Sequence, residues 1–173
     1  MTKIMEYVFR KATTGDQQQI WEILEKAIER RRLDGSNQWQ DGYPNPAVVG
    51  SDIEKGYGFV LADGNELIGY CAVLFNDEPA YAAIKGAWVT NSDFLVYHRV
   101  AIAEKYLGKG LAQELLKRIE QLALGNNIRS VKADTNHDNA GMLKIFEKLG
   151  YVYCGEVSFR GSPRKAFEKV LVG

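Results

Sequence analysis

Residues 98–112 read HRVAIAEKYLGKGLA, and the rest of the chain is organised around them. Leu95, Val96, Val100, Ala101 and Ile102 give an apolar strand. A turn follows, Lys105-Tyr106-Leu107-Gly108-Lys109-Gly110. Leu111, Leu115, Ile119 and Leu122 then recur at helical spacing, and Ala112, Leu116 and Ala123 widen the stripe. A strand, a glycine turn and a helix start gather backbone N–H groups in one concave space, at the positive end of the helix dipole. Gly108 and Gly110 can adopt angles closed to other residues, so a ligand can approach the main chain. The spacing suits an anion such as a phosphate, and it equally suits a tight turn that binds nothing. It is not a P-loop, because G-x-x-x-x-G-K-[ST] is absent; nor is there a G-x-G-x-x-G dinucleotide turn.

The 173 residues are expected to form a single domain, 1–173, with a sizeable core. Lys plus Arg and Asp plus Glu stand at 22 each, which argues against bulk binding to nucleic acid or an anionic membrane. Phosphate binding must then be local. Cys71 and Cys154 sit in apolar runs and read as small core residues. His98 and His137 offer no zinc spacing, so no metal is expected. MTKIMEYVFRKA lacks an apolar signal core, and no stretch approaches a membrane span, so a cytoplasmic location is expected.

In order, residues 4–11 read as a strand, and Thr14 with Gln17 as a capping box. Ile20, Ile23, Leu24, Ala27 and Ile28 mark a first helix, closed by Arg30-Arg31-Arg32, a basic run that suits a solvated helix end. Residues 33–50 break periodicity and read as a long loop carrying Trp39 and Tyr43, which either wall a substrate pocket or pin the loop to the core. A short helix is expected near 52–56, then strands at 57–62 and 67–75 about an Asp63-Gly64-Asn65 hairpin turn. Residues 76–92 read as irregular, 94–102 as the central strand and 110–124 as a helix stopped by Gly125. A strand at 128–135 follows, then a helix capped by Asn136 or Asp138 and ended by Gly150. An antiparallel pair, 151–159 and 165–172, turns at Arg160-Gly161-Ser162-Pro163. The order predicts a mixed α/β (α+β) sheet with helices on its faces.

The run VAIAEKYLGKGLAQELL at 100–116, Asn139, and Phe146-Glu147-Lys148-Leu149-Gly150-Tyr151, with Gly150 eleven residues after the Asn, resemble the acetyl-CoA-binding half of the GNAT N-acetyltransferases. That family's Arg/Gln-x-x-Gly-x-Gly/Ala motif stands here as Lys105-x-x-Gly108-x-Gly110. The resemblance implies a mostly antiparallel sheet with one splayed parallel pair, residues 94–102 beside 128–135. It further implies acetyl transfer from acetyl-CoA to a primary amine by direct attack. Amides at Leu107, Gly108, Lys109, Gly110, Leu111 and Ala112 would hold the pyrophosphate, with charge from Lys105 and Lys109. Lys105 in place of Arg loses bidentate geometry. Main-chain groups of Val100, Ala101 and Ile102 would bond the pantetheine arm, and the Val100 amide would meet the thioester oxygen as an oxyanion donor. Asn139 would bond the pantetheine side or simply cap its helix.

Attack needs a neutral amine, and His98 is the titratable residue nearest Val100, unless it is a satisfied core histidine. Asp134 and Tyr97 are further candidates. Many relatives carry a Tyr seven residues after the Asn as acid; Phe146 stands there and cannot donate a proton, so it is expected to pack near the cofactor. That substitution also admits a non-catalytic acyl-CoA-binding regulatory module. Arg160 and Arg164 could hold an anionic group of the acceptor or be surface charges. The acceptor, a small-molecule or peptide amine, is not fixed. Homodimers are common in the superfamily, and a homodimer is possible here.

Overall fold

Asn45 and Pro46 start a helix inside what reads as a loop. The Asn45 side chain accepts from the Val48 amide at 3.0 Å, and Pro46 stands at the first helical position, where its missing N–H costs nothing. The computed structural model describes residues 6–172. Its helices are α1 (Gln17–Leu33), α2 (Pro46–Glu54), α3 (Leu111–Gly125) and α4 (Ala140–Leu149). Its strands are β1 (Val8–Lys11), β2 (Gly58–Asp63), β3 (Glu66–Phe75), β4 (Lys85–Gly86), β5 (Phe94–Ile102), β6 (Ser130–Thr135), β7 (Val152–Phe159) and β8 (Ser162–Val170). The hydrogen-bonded order is β1-β2-β3-β5-β6-β8-β7-β4. The β5–β6 pair is parallel, and its register covers only Phe94–Val96 against Ser130–Lys132. β5 runs on to Ile102 and β6 to Thr135, the splay that was expected.

The chain divides into two compact units. One holds the residues up to Ala72 together with Arg99–Leu115; the other holds Val73–His98 and the residues from Leu116 onward. In the first, Ile20, Leu24 and Ala27 of α1 pack with Val49, Val60, Leu67, Tyr70 and Trp39. In the second, Tyr81, Val96, Val157 and Ala166 form a core flanked by Trp88, Phe94 and Phe159.

Several expectations shift. The first strand is seen over Val8–Lys11, while Ile4 and Met5 lie outside the described residues. The capping box forms one residue early: the Thr13 amide donates to Asp16 Oδ2 at 2.8 Å, and Arg10 bonds the same carboxylate at 2.7 and 3.0 Å. α2 begins at Pro46, not near 52, because its proline starts the helix rather than breaking it. The irregular stretch holds a 3-10 turn, Pro79–Ala83, and the two-residue strand β4, which pairs with β7. Asn139, rather than Asn136 or Asp138, caps α4. Gly125 ends inside α3, whereas Gly150 does stop α4, at φ 81°. The final strand starts at Ser162, so the turn is tighter than the four residues expected.

Candidate functional site

The glycine turn is built in the first unit. A 3-10 turn at Glu104–Tyr106 leads to Leu107, then Gly108 at φ 76° and Gly110 at φ 74°. A Cβ added at either glycine would meet no atom within 4 Å, so the space beside the backbone is open. The Glu114 amide bonds the Gly110 carbonyl at 3.1 Å. The amides of Leu111, Ala112 and Gln113 therefore lie in the first turn of α3, which has no intrahelical acceptors for them. A pyrophosphate fits such a place: open, lined by backbone donors, at a helix N-terminus. Lys105 is spoken for differently than expected. Its ammonium bonds Glu66 at 2.9 and 3.2 Å, and that bond raises its pKa. Lys109 is exposed, 5.7 Å from the Tyr106 ring centre.

Just before the turn, Arg99 takes a left-handed conformation, φ 56°, inside β5. Such a backbone persists only where its surroundings hold it. Here Arg99 forks onto Asp52 with bonds of 2.9 and 2.7 Å, and it also bonds the Tyr43 hydroxyl. Asp52 accepts in addition from the buried Tyr70 hydroxyl at 2.6 Å, whose pKa burial and this carboxylate push up. Val100, Ala101 and Ile102 follow, all buried. The Ile102 carbonyl accepts from Arg30 at 3.1 Å, so Arg30 is not a solvated helix end. Trp39 belongs to the core cluster, under the Arg31 guanidinium at 3.9 Å. It pins its segment and offers no pocket wall. Tyr43 is half-buried and serves as a partner of Arg99.

The second unit holds a buried polar cluster around His98. Its Nε2 lies 2.7 Å from Glu78 Oε2, and its Nδ1 lies 3.8 Å from Asp134 Oδ2. The Tyr81 hydroxyl donates to Asp134 at 2.6 Å, and an Arg164 nitrogen stands 3.8 Å from that carboxylate's other oxygen. The Phe159 ring packs edge-on against both His98 and Tyr81. Burial raises the Asp134 pKa, opposed by His98, the Tyr81 bond and Arg164. Burial and Asp134 push Tyr81 far above its ordinary value, so it stays a neutral donor. A neutral imidazole that donates its Nε2–H to Glu78 keeps a lone pair on Nδ1 and can exchange protons.

The remaining expected residues separate. Arg164 is buried beside Asp134, and its Nε has no partner among the described residues. Arg160 sits exposed in the β7–β8 turn, φ 47°, away from any burial. The Asn139 oxygen caps α4 by accepting from Met142 at 3.2 Å, so a cofactor bond there would use its amide nitrogen. Phe146 is 1% exposed, its ring packed at a tilt against Tyr151 and Phe167 with centroids 4.9 and 4.7 Å away. Tyr97 is buried against the Tyr151 hydroxyl at 3.0 Å, and burial drives its pKa well up, which removes it as a base. Glu78, Tyr81, Asp52 and Arg99 were missed. No spacing rule joins them to His98 or to the turn.

The acetyltransferase (GNAT) family matches residues 19–151. Among solved structures, a GNAT-family acetyltransferase of Streptococcus agalactiae 2603 is 35% identical, with 99% of each chain covered and a TM-score of 0.89. One from Listeria monocytogenes 4b F2365 is 16% identical over 96% of each chain, TM-score 0.77. A Salmonella typhimurium protein, yncA, solved with its cofactor acetyl-CoA, is 17% identical over 97% of this chain and 95% of its own, TM-score 0.67. No curated protein matches. Both the fold and the 133-residue span of the family match (residues 19–151) place this chain in the GNAT acetyltransferase family.

Proposed function

We propose that this chain, acting as one catalytic domain, is an N-acetyltransferase that moves an acetyl group from acetyl-CoA to a primary amine of its acceptor. The observation that carries the reading is the open turn at Gly108 and Gly110 before α3. The amides from Leu107 to Ala112 bind the pyrophosphate, and main-chain groups of Val100, Ala101 and Ile102 bind the pantetheine arm, helped by the Asn139 amide. Acetyl-CoA supplies the acetyl group and a thiol leaving group. The Val100 amide faces the carbonyl oxygen as charge grows on it. Arg99, locked by Asp52, fixes the backbone at that point.

His98 takes the proton that the acceptor ammonium must lose, with Glu78 holding the ring in one tautomer. Asp134 stands beside the other ring nitrogen, 3.8 Å away. The leaving thiolate needs no dedicated acid, because a thiol pKa of about 8.5 makes it a tolerable leaving group near neutral pH.

Calorimetric titration with acetyl-CoA, with ATP and NAD as controls, tests the cofactor. Selective saturable binding is expected; none in a folded, cofactor-free sample would overturn the reading. Release of free thiol with a panel of amines tests the transfer. Binding without any acetylated product would favour a regulatory acyl-CoA-binding module.

A further inference from the structure

A cavity of about 410 Å³ opens in the second unit, lined by Glu78, Tyr81, Trp88, Phe94, Asp77 and Lys132 among others. Glu78 is the carboxylate that holds His98, so this space reaches the candidate base through one side chain. Its size suits a small molecule.

Lys132 is the unusual wall residue. It is a β6 residue only 4% exposed. Its ammonium sits over two rings, 4.5 Å from the Trp88 centre and 4.3 Å from the Phe94 centre. Its cross-strand neighbour is the carboxylate Glu168. That carboxylate is already consumed: the Val89 and Thr90 amides donate at 2.8 and 3.3 Å, and the Thr90 and Ser130 hydroxyls at 2.5 and 2.7 Å. Lys132 therefore has ring faces but no hydrogen-bond acceptor among the described residues. An ammonium has three donors, and its Nζ is not among the fully buried unpartnered atoms, so they open onto the cavity that Lys132 lines. Burial lowers its pKa, opposed in part by the Glu168 charge. The rings offer it a π surface and leave its N–H groups to the cavity.

We propose that this cavity is the acceptor site and that Lys132 selects acceptors carrying an anionic oxygen group, a carboxylate or its phosphonate equivalent, on the same small molecule as the amine. This rests on the acetyltransferase reading above. The acceptor's anion pairs with Lys132, and its ammonium turns toward the acidic wall at Asp77 and Glu78. The arrangement disfavours simple alkylamines, which would leave Lys132 unpaired.

The test uses matched pairs: each common L-amino acid, its carboxamide and its aminophosphonate analogue, assayed by thiol release with acetyl-CoA. For the preferred side chain, kcat/KM of the acid or the phosphonate exceeds that of the carboxamide by at least about tenfold, one charge-assisted contact's worth. Whichever anion is faster names the group. Lys132→Met keeps the length and packing between the rings; it raises KM for the anionic substrate about tenfold or more and leaves the carboxamide within about twofold. Lys132→Arg keeps the charge and retains the preference, which covers the case in which the Met variant does not fold. Equal rates for acid and carboxamide, or equal losses for both in the Met variant, overturn the anion assignment while leaving acetyl transfer intact. Acetyl-CoA binding with no product from any pair overturns the acceptor pocket. Absent acetyl-CoA binding instead overturns the acetyltransferase reading beneath it.

Discussion

Glu78 Oε2 lies 2.7 Å from His98 Nε2, across 20 residues of sequence, and both side chains are more than four-fifths buried. That bond fixes which ring nitrogen carries the proton in the neutral imidazole. His98→Ala is expected to lower kcat by roughly 10²-fold or more. The loss is largest at low pH and shrinks as pH nears about 10, where alkylamines deprotonate unaided. Glu78→Gln keeps a hydrogen-bond partner but not the charge, so it should cost less than the alanine variant. A pH–rate profile decides the matter. If the His98→Ala profile keeps the wild-type shape, His98 is not the base.

Gly108→Val tests the turn. The position has φ 76°, which a β-branched residue adopts only under strain, and its new side chain projects into the open space beside the helix start. Strain should cost about 1–3 kcal/mol in stability. Acetyl-CoA affinity should fall further, by at least about a hundredfold, because the branched side chain occupies the anion's volume. Calorimetry on the folded variant reads the difference, and an unchanged Kd would reassign the turn as purely structural.

The parts of the fold that announced themselves are those governed by short-range rules. Gly150 stops α4, residues 63–65 mark the β2–β3 turn, and β5 is bounded by apolar runs at both ends, Phe94–Val96 and Val100–Ile102. α2 was hidden because Pro44 and Pro46 read as breakers, although Asn45-Pro46 is itself a start signal. β4 has two residues and can carry no period. The glycine turn and His98 are legible from local chemistry as candidates, and the structure shows an open turn and a part-buried imidazole there. Asp52 and Arg99 were not, since their pairing spans 47 residues and depends on one reversed backbone angle. Phe146 shows a different limit: a matched position says where the backbone passes, not which way a ring turns. Trp39 shows the same limit, an aromatic in an irregular stretch that turned inward to the α1 core.

Asp16 gives the pH dependence of stability. The Arg10 hydrogen bond, with help from the Thr13 amide, holds its pKa down at about 2 from 3.8. A depressed carboxylate contributes stability that is fully present above its unfolded pKa and is lost as pH falls from about 4 toward 2. Arg10 is 37% exposed, so solvent screening reduces the contribution to about 1 kcal/mol. Asp16→Asn should lower the melting temperature at pH 7 and flatten its decline between pH 4 and pH 2. An equally steep acid decline in the variant would show that other carboxylates carry it.

Phe146→Tyr separates packing from acid catalysis. The resemblance suggests that a tyrosine there would supply a proton to the leaving thiolate. The structure puts that ring against Tyr151 and Phe167 with 1% of its surface exposed. A hydroxyl added at its tip enters an aromatic cluster and loses its water, at a cost of about 1–3 kcal/mol if it finds no partner. Denaturant unfolding should therefore show a lower midpoint with an unchanged slope. Turnover at saturating acceptor should not rise, because the new hydroxyl points into the core and not toward the reacting sulfur. A faster enzyme with a new alkaline limb in its pH–rate profile would mean that the ring reaches the cofactor after all, and that its burial changes on binding.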